Sequence, residues 1–292
     1  MTEHLTAAYD MCGKLVKMHD PDRHVAALFA PAARRPALHA LHAFSLEIAG
    51  VRGQVKDPLP GEIRLQWWRE AISGERADEV RAHPVMVALL DTITNNHLPL
   101  QPFLDLIDAR ISDLYDDSPT DWNALEGYCS ETCSALFRLS TIILMGGKDP
   151  GSADAAGHAG VAYALTGLLR AFPWHARRGQ VYLPQALQDV VGVSRADIIN
   201  GADSDGLRAA LADMRAKVRH HLTQVHALRA NIAPEIVPAF LPLASVESYL
   251  KVMEHPNYNP FSEIVDIPQW KRVWTLWRWA KKRRSDAIPQ PI

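Results

Sequence analysis

Apolar residues recur every three to four positions along most of the chain, while the alternation of apolar and polar residues that a strand requires is nearly absent. This spacing predicts helices separated by turns rich in proline, glycine and aspartate, as at residues 20–22 and 146–147. The longest apolar stretch predicts a helix over residues 121–145, and further long helices are expected over 154–170 and 206–231. The pattern therefore predicts an all-α protein.

The composition is that of an ordinary globular protein, with 48% hydrophobic and 22% charged residues among 292. A net charge of -2 gives no whole-chain attraction to nucleic acid. We expect a protein that is neither secreted nor membrane-spanning, because the N-terminal pattern is not that of a signal peptide and the apolar runs are short. The three cysteines are expected to be free thiols in a reducing, cytoplasmic setting. With no flexible linker in the sequence, one helical domain is expected over residues 1–292.

Two histidine groups and one cysteine pair are candidates for metal binding. His39 and His42 lie three positions apart on one predicted helix, but no third ligand follows on that face. Cys129 and Cys133 lack a nearby histidine and are expected to be small buried side chains. His221 belongs to a polar, histidine-rich helix for which a solvated face is expected. We therefore predict no metal site, and the chain also lacks a glycine-rich phosphate loop after a strand.

The segment of residues 160–184 combines a buried helix with a basic end. Its first half is apolar and carries small residues, which allow a neighbouring helix to approach closely. Pro173 then interrupts the helical pattern, and a loop is expected as far as Pro184. Guanidinium groups suit phosphate oxygens, so this end is a candidate anion site, although the same side chains also suit a scaffold that ties down the loop. The candidate residues for this pocket are Arg170, Arg177, Arg178 and Tyr182, with Asp113 and Glu47 from preceding helices.

The end of the chain, residues 268–292, is predicted to form a basic, tryptophan-rich helix and tail. Tryptophan and basic residues on one amphipathic helix suit an anionic lipid surface, where indoles lie at the level of the headgroups. The alternative is that the indoles pack on the body of the protein and the basic tail is merely solvated. The candidate membrane-contact residues are Trp270, Trp274, Trp277, Lys281, Lys282, Arg283 and Arg284.

Four segments, in order and spacing, resemble the squalene/phytoene synthase family from about residue 20 to residue 250. They read APAARRPALHALHAFSLEIAGVRG, RLQWWRE, ARISDLYDDSPTDWNALEGYCSETCSALFRLS and YALTGLLRAFPWHARRGQVYLP. The resemblance implies the all-α isoprenoid synthase fold, a helical bundle around a central cavity. Active members of that family join two prenyl diphosphates head to head, and two Asp-rich motifs bind the Mg²⁺ that holds the diphosphates.

Neither Asp-rich motif is present in this sequence. The positions that align with the first motif are Ala49, Gly50 and Gly53, and those that align with the second are Gly167, Ala171 and His175. Without carboxylates we expect no catalytic residue, no metal and no resident cofactor, and we expect Trp174 and His175 to fill part of the former metal site. The alternative is a Mg²⁺-dependent farnesyl or geranylgeranyl diphosphate transferase with displaced metal ligands, for which Glu47, Asp57 and Glu62 are the candidates nearby in sequence.

Three stretches narrow the resemblance to one subgroup of the family, the complex I assembly factor 6 type, which has lost the Asp-rich motifs. These stretches are AFSLEIAGVRG, LPGEIRLQWWRE and LLRAFPWHARRGQVYLP. The resemblance implies a non-catalytic role in assembly of respiratory complex I or a related membrane complex. The implied partners are complex I subunits or assembly factors, an anionic membrane surface, and an isoprenoid or lipid in the cavity. The implied location is the inner face of the cytoplasmic membrane, or the matrix side in a eukaryote.

Overall fold

The computed structural model describes residues 3–115, 117–262 and 264–286, the side chains of residues 231 and 282–286 excepted. The described chain is mainly helical and contains no strand, which confirms the all-α prediction. The α-helices are α1 Glu3–His19, α2 Pro21–Ala27, α3 Arg35–Gly50, α4 Pro58–Ile72, α5 Ala77–Val80, α6 Pro84–Asn95, α7 Gln101–Ile111, α8 Trp122–Cys129, α9 Ala135–Leu144, α10 Ala153–Arg170, α11 Phe172–Arg177, α12 Gln185–Val191, α13 Arg195–Ile199, α14 Asp205–Ala227, α15 Val237–Phe240, α16 Val246–Met253 and α17 Gln269–Asp286.

Helix starts follow capping rules that are visible in the sequence. Ser204 precedes α14, and its hydroxyl accepts a hydrogen bond from the backbone N–H of Leu207. Asp121 caps α8 in the same way, and Asp20 caps α2 immediately before a proline in the first turn. Each cap satisfies a backbone donor that the helix itself leaves without a partner.

A contiguous apolar core lies among the long helices, with α3 packed against α1, α6 and α9. Phe44 of α3 is fully buried, and its ring meets those of Trp68 and Phe103 edge-on, each at a centroid distance of 5.5 Å. Edge-to-face contacts are a favoured geometry for aromatic pairs and fill the core with large apolar groups. Phe44 therefore anchors α3 in the core.

The small residues of α10 allow the close helix contact that the sequence predicted. A π-helical turn, Ser130–Ser134, joins α8 to α9, so that the helix expected over residues 121–145 is continuous but locally widened. Gly160 lies against this turn, and a Cβ atom at Gly160 would overlap the backbone of Ser134. Only glycine fits here, because the two backbones are in direct contact.

Two local predictions are corrected by the structure. The segment after Arg170 was expected to be a loop, but α11 forms there with Pro173 in its first turn, where the missing N–H of proline costs nothing. His221 was expected on a solvated face, but it is buried, and its Nδ1 lies 2.9 Å from the Nδ1 of His158. The contact joins α14 to α10, so this histidine belongs to a helix interface.

One helical stretch, Pro234–Met253, is long and apolar enough to cross a membrane if length and composition alone are considered. Within the fold, however, 61% of it is buried, as expected for helices that contribute to a core.

Candidate functional site

The two segments that align with the Asp-rich motifs lie beside each other in the fold. The first degenerate segment, residues 49–53, covers the end of α3 and the following 3₁₀ turn, and the second, residues 167–175, covers the end of α10 and most of α11. Arg178 follows the second segment and contacts both, since its Nη2 donates a hydrogen bond to the carbonyl oxygen of Gly53 at 3.1 Å and its guanidinium lies over the ring of Trp174. A guanidinium group therefore contacts both of the segments that the sequence analysis aligned with the Asp-rich motifs.

The backbone of both degenerate segments has room for larger side chains. A Cβ atom at Gly167 would meet no atom within 4 Å outside its own helical neighbourhood. At Gly50 the nearest atom would be the amide nitrogen of Gln54 at 3.5 Å, and at Gly53 it would be Nη2 of Arg178 at 3.9 Å. The three glycines are therefore not required by close packing.

Trp174 and His175 occupy different environments, although both were expected to fill the former metal site. Trp174 is 38% exposed, and the guanidinium of Arg178 lies 4.5 Å from its ring centroid. This indole therefore lies at the protein surface. His175 is more enclosed, and its ring packs edge-on against Tyr182 at 4.8 Å. Burial lowers the pKa of His175 to about 4, so its imidazole is neutral at physiological pH and supplies no positive charge to an anion.

Asp113 is the centre of a buried carboxylate–tyrosine cluster. Its carboxylate accepts hydrogen bonds from the hydroxyls of Tyr128 at 2.9 Å and Tyr182 at 2.8 Å. Nη1 of Arg110 donates to the other oxygen at 3.0 Å, and the side-chain amide of Gln180 donates to the Asp113 carbonyl at 3.3 Å. Burial and the nearby carboxylate raise the pKa of Tyr182, which keeps this phenol a donor. The carboxylate is thus occupied by protein donors on both oxygens.

Arg170 and Arg177 fasten the C-terminal segment to the ends of α10 and α11. Nε of Arg170 donates to the carbonyl of Val265 at 2.8 Å, and Nη2 of Arg177 donates to the carbonyls of Phe261 at 3.0 Å and Ser262 at 2.9 Å. These are the contacts of a scaffold, in which guanidinium donors satisfy the carbonyls of an irregular segment.

Glu47 lies on the side of α3 that faces α1 and α6. Burial raises the pKa of the Cys12 thiol to about 12, and the negative charge of Glu47 adds to this effect. The same carboxylate acts on His83, where it opposes the lowering of the pKa by burial. The six candidate pocket residues therefore converge only in part, since Asp113 and Arg178 both act on the pKa of His175, whose ring packs on Tyr182. Asp113 and Tyr182 share a cluster, Arg178 bridges the degenerate segments, and the remaining three make contacts elsewhere.

A buried ion network, which the sequence analysis did not identify, connects the start of α2 with α17. The carboxylate of Asp22 accepts hydrogen bonds from Nε of Arg272 at 2.8 Å and from the hydroxyl of Tyr249 at 2.7 Å. Arg170 adds a guanidinium 3.8 Å from Asp22 and 3.9 Å from the ring centroid of Tyr249. In sequence Asp22 reads as a turn residue and Arg272 as one member of a basic tail, so neither signals burial.

The tryptophan face of α17, formed by Trp270, Trp274 and Trp277, points away from the body of the protein. Trp270 is 71% exposed, and the other two are each 49% exposed. Arg278 lies over the ring of Trp274 at 4.4 Å, and Nζ of Lys281 lies 5.1 Å from the centroid of Trp277. The three indoles thus do not pack on the body. Lys282, Arg283 and Arg284 are outside the described side chains.

The histidines and cysteines form no metal site in the described part of the chain, where no three histidine, cysteine or acidic side chains are grouped closely enough. His39 instead stacks on His24 with ring centroids 5.2 Å apart, and burial lowers the pKa of His39 to about 4. Cys129 and Cys133 are free and buried, as expected, and Arg23 donates to Cys133 Sγ at 3.1 Å.

Comparison with known proteins places these features in a family. The squalene/phytoene synthase family profile matches residues 16–278. The chain is 30% identical over 250 residues to NADH dehydrogenase (ubiquinone) complex I, assembly factor 6, of Rattus norvegicus, covering 86% of this chain and 75% of the rat protein. It is 25% identical over 283 residues to the 15-cis-phytoene synthase of Synechocystis, covering 92% and 83% respectively. A crystal structure of a dehydrosqualene synthase with a ligand superposes with a TM-score of 0.80 at 17% identity, covering 96% of this chain and 98% of the synthase.

Proposed function

The chain belongs to the squalene/phytoene synthase family, and we propose that it is a non-catalytic member that acts in assembly of respiratory complex I. The observation that carries this proposal is the absence of a carboxylate at all six aligned motif positions, within a fold that otherwise superposes on a dehydrosqualene synthase. The fold is retained while the groups that would hold metal ions are missing.

The chemistry of the family explains why this loss matters. A departing diphosphate carries several negative charges, and hard cations held by carboxylates neutralise it. In this chain Arg178 is hydrogen-bonded to the Gly53 carbonyl and packed on Trp174, while His175 is neutral. Of the acids that could serve as displaced ligands, Glu47 lies near Cys12 and His83, and Asp113 is held by two phenols and an arginine.

The assembly role is drawn from the relatives. The rat protein is named an assembly factor of complex I, and the match extends over three quarters of its length. The proposed location follows from the same likeness and is the inner face of the cytoplasmic membrane, or the mitochondrial matrix side.

We further propose that the tryptophan face of α17 docks on the anionic membrane surface at which the complex is assembled. Residues 268–284 contain seven basic residues, of which Arg272 is buried, and no acidic residue, so this stretch of the chain carries charge of one sign. Indoles suit the headgroup region, and each basic residue near an anionic surface contributes about 1 kcal/mol. Several such residues hold a folded domain on a membrane reversibly.

Deletion of the gene in the organism that carries it tests the assembly role. We expect the amount of assembled complex I on blue-native gels, and its NADH dehydrogenase activity in the gel, to fall and to recover on expression of the wild-type chain. Complex II on the same gels is the control. An unchanged amount of assembled complex I would contradict the assembly role.

A further inference from the structure

Helix α17 has large apolar side chains on two opposite faces. Successive residues of an α-helix are about 100° apart, so Trp270, Trp274 and Trp277 fall within about 60° of arc. Leu276 is fully buried on the other side, where it meets Val25 and Ala26 of α2. The helix therefore offers two apolar surfaces to the body of the protein, and only one of them is used.

Apolar area alone does not explain which face is buried. An indole buries about 150–250 Å² when it is enclosed, more than a leucine does. A rotation of α17 about its axis that turned the tryptophan face inward would remove three indoles from water instead of Leu276 and the half-buried Trp279. The rotation would also carry Lys281 and Arg278, which lie against Trp277 and Trp274, towards the body, and a directional contact on the buried side adds to this cost.

Arg272 provides such a contact, because it lies on the buried side of α17 and is 2% exposed. Each of its three nitrogens has a partner. Nε donates to Asp22 at 2.8 Å, Nη1 to Gln269 at 2.7 Å, and Nη2 to the exposed carboxylate of Asp266 at 2.7 Å. A guanidinium makes these bonds in one orientation, and turning the helix would leave the buried carboxylate of Asp22 without its closest charged partner.

We infer that Asp22 and Arg272 are a positioning pair that fixes the rotation of α17 and holds the tryptophan face outward for docking. The role of the face rests on the membrane contact proposed above, whereas the rotation rests on the geometry alone. A buried polar pair that selects one packing arrangement over a more apolar one is the best-attested use of such pairs.

The test replaces both members of the pair, so that no charge is left stranded. The full chain carrying Asp22→Asn with Arg272→Met is labelled with 5-fluorotryptophan, and each fluorine resonance is assigned by single Trp→Phe replacements. Broadening by a soluble gadolinium chelate then reports which indoles face water. The wild type should show strong broadening at Trp270, Trp274 and Trp277 and little at Trp279.

In the double variant we expect at least a twofold loss of broadening at the three indoles of the face, or a second set of resonances for them. A broadening pattern identical to that of the wild type would overturn the inference. Replacing Arg219 by Met and Glu247 by Gln removes an exposed ion pair between α14 and α16 and is the matched control, expected to leave the pattern unchanged. If the double variant does not fold, Arg272→Lys is the second test, because lysine keeps the charge beside Asp22 but lacks the several fixed donors of a guanidinium. This variant should show a partial change of the same kind. An unchanged broadening pattern would again overturn the inference.

Vesicle binding separates this inference from the proposed docking role. The probes are vesicles of phosphatidylcholine with and without phosphatidylglycerol. If the wild type binds neither kind of vesicle, the docking role is wrong, and the role of the pair in fixing the rotation of α17 is tested by the broadening alone. Wild-type binding that requires phosphatidylglycerol, and that falls at least tenfold in the double variant, supports both. Full binding by a double variant whose indoles have turned inward would show that the tryptophan face is not the contact.

Discussion

Asp22→Asn is expected to destabilise the protein far more than the loss of one surface charge. The side chain of Asp22 is 2% exposed and that of its partner Arg272 is 3% exposed. Burial raises the pKa of Asp22, whereas the Tyr249 hydroxyl and two nearby guanidiniums act to lower it, so desolvation opposes the attraction within the pair. The larger energy is therefore the cost of leaving the guanidinium of Arg272 buried without the charge of Asp22.

The magnitude follows from what the substitution leaves behind. An asparagine keeps the shape of Asp22 but removes the charge, so Arg272 loses its one buried carboxylate partner at 2.8 Å. Breaking a buried pair from one side costs about 3–5 kcal/mol. That is a large fraction of the roughly 5–15 kcal/mol by which a folded protein is stable. Asp22→Asn with Arg272→Met removes both charges and should recover most of the loss.

Asp266 provides an internal control, because its carboxylate contacts the same guanidinium at 2.7 Å but is 60% exposed. Asp266→Asn should cost about 0–1 kcal/mol, since water and salt screen an exposed pair. The assay is guanidinium chloride unfolding at pH 7, followed by far-ultraviolet circular dichroism, for all four proteins. Equal losses for Asp22→Asn and Asp266→Asn would refute the assignment of the energy to burial.

Three further predictions concern the docking helix, the helix contact at Gly160 and a buried histidine. Replacing Lys281, Lys282, Arg283 and Arg284 by glutamine should weaken binding to phosphatidylglycerol vesicles by up to about 4 kcal/mol, on the order of a thousandfold. Unchanged binding in a sedimentation assay would rule out a contribution from these four residues. Gly160→Ala should lower the free energy of unfolding by about 1–3 kcal/mol, because the added Cβ overlaps Ser134. Gly157→Ala, in open space on the same helix, should raise the free energy of unfolding by up to about 1 kcal/mol. Similar effects of the two substitutions in chemical unfolding would contradict the close contact. Burial lowers the pKa of His221, so its contribution to stability is present above about pH 6.5 and lost as pH falls below that value. Between pH 7.5 and pH 5 the free energy of unfolding should therefore fall less in His221→Gln than in the wild type. Parallel pH dependences of the two proteins would contradict this.

Much of the fold follows from local sequence rules, because apolar periodicity and capping residues act within one or two helical turns. Ser204 and Asp121 cap their helices because a side-chain oxygen reaches backbone donors three residues away. The helix α11 was missed because Pro173 stops one helix and equally well starts another, and the sequence does not decide between these roles.

The sequence predicted which groups are missing from the candidate site, but it did not predict most of the contacts made there. The absence of carboxylates at the motif positions is read directly from the chain. That Arg178 lies over Trp174 and bonds to Gly53 is set by how two distant segments pack. The pairing of Asp22 with Arg272 joins residues 250 positions apart, and no local pattern marks either one as buried.

We propose that this chain retains the architecture of a prenyl synthase without its Mg²⁺-dependent chemistry. The most direct measurement is release of diphosphate from farnesyl and geranylgeranyl diphosphate over a series of Mg²⁺ concentrations, with the Synechocystis 15-cis-phytoene synthase as the positive control on the geranylgeranyl substrate. We expect release no greater than that in a protein-free reaction at every Mg²⁺ concentration. Release that requires Mg²⁺ and disappears in Glu47→Ala or Asp113→Asn would contradict the proposal that the protein is non-catalytic.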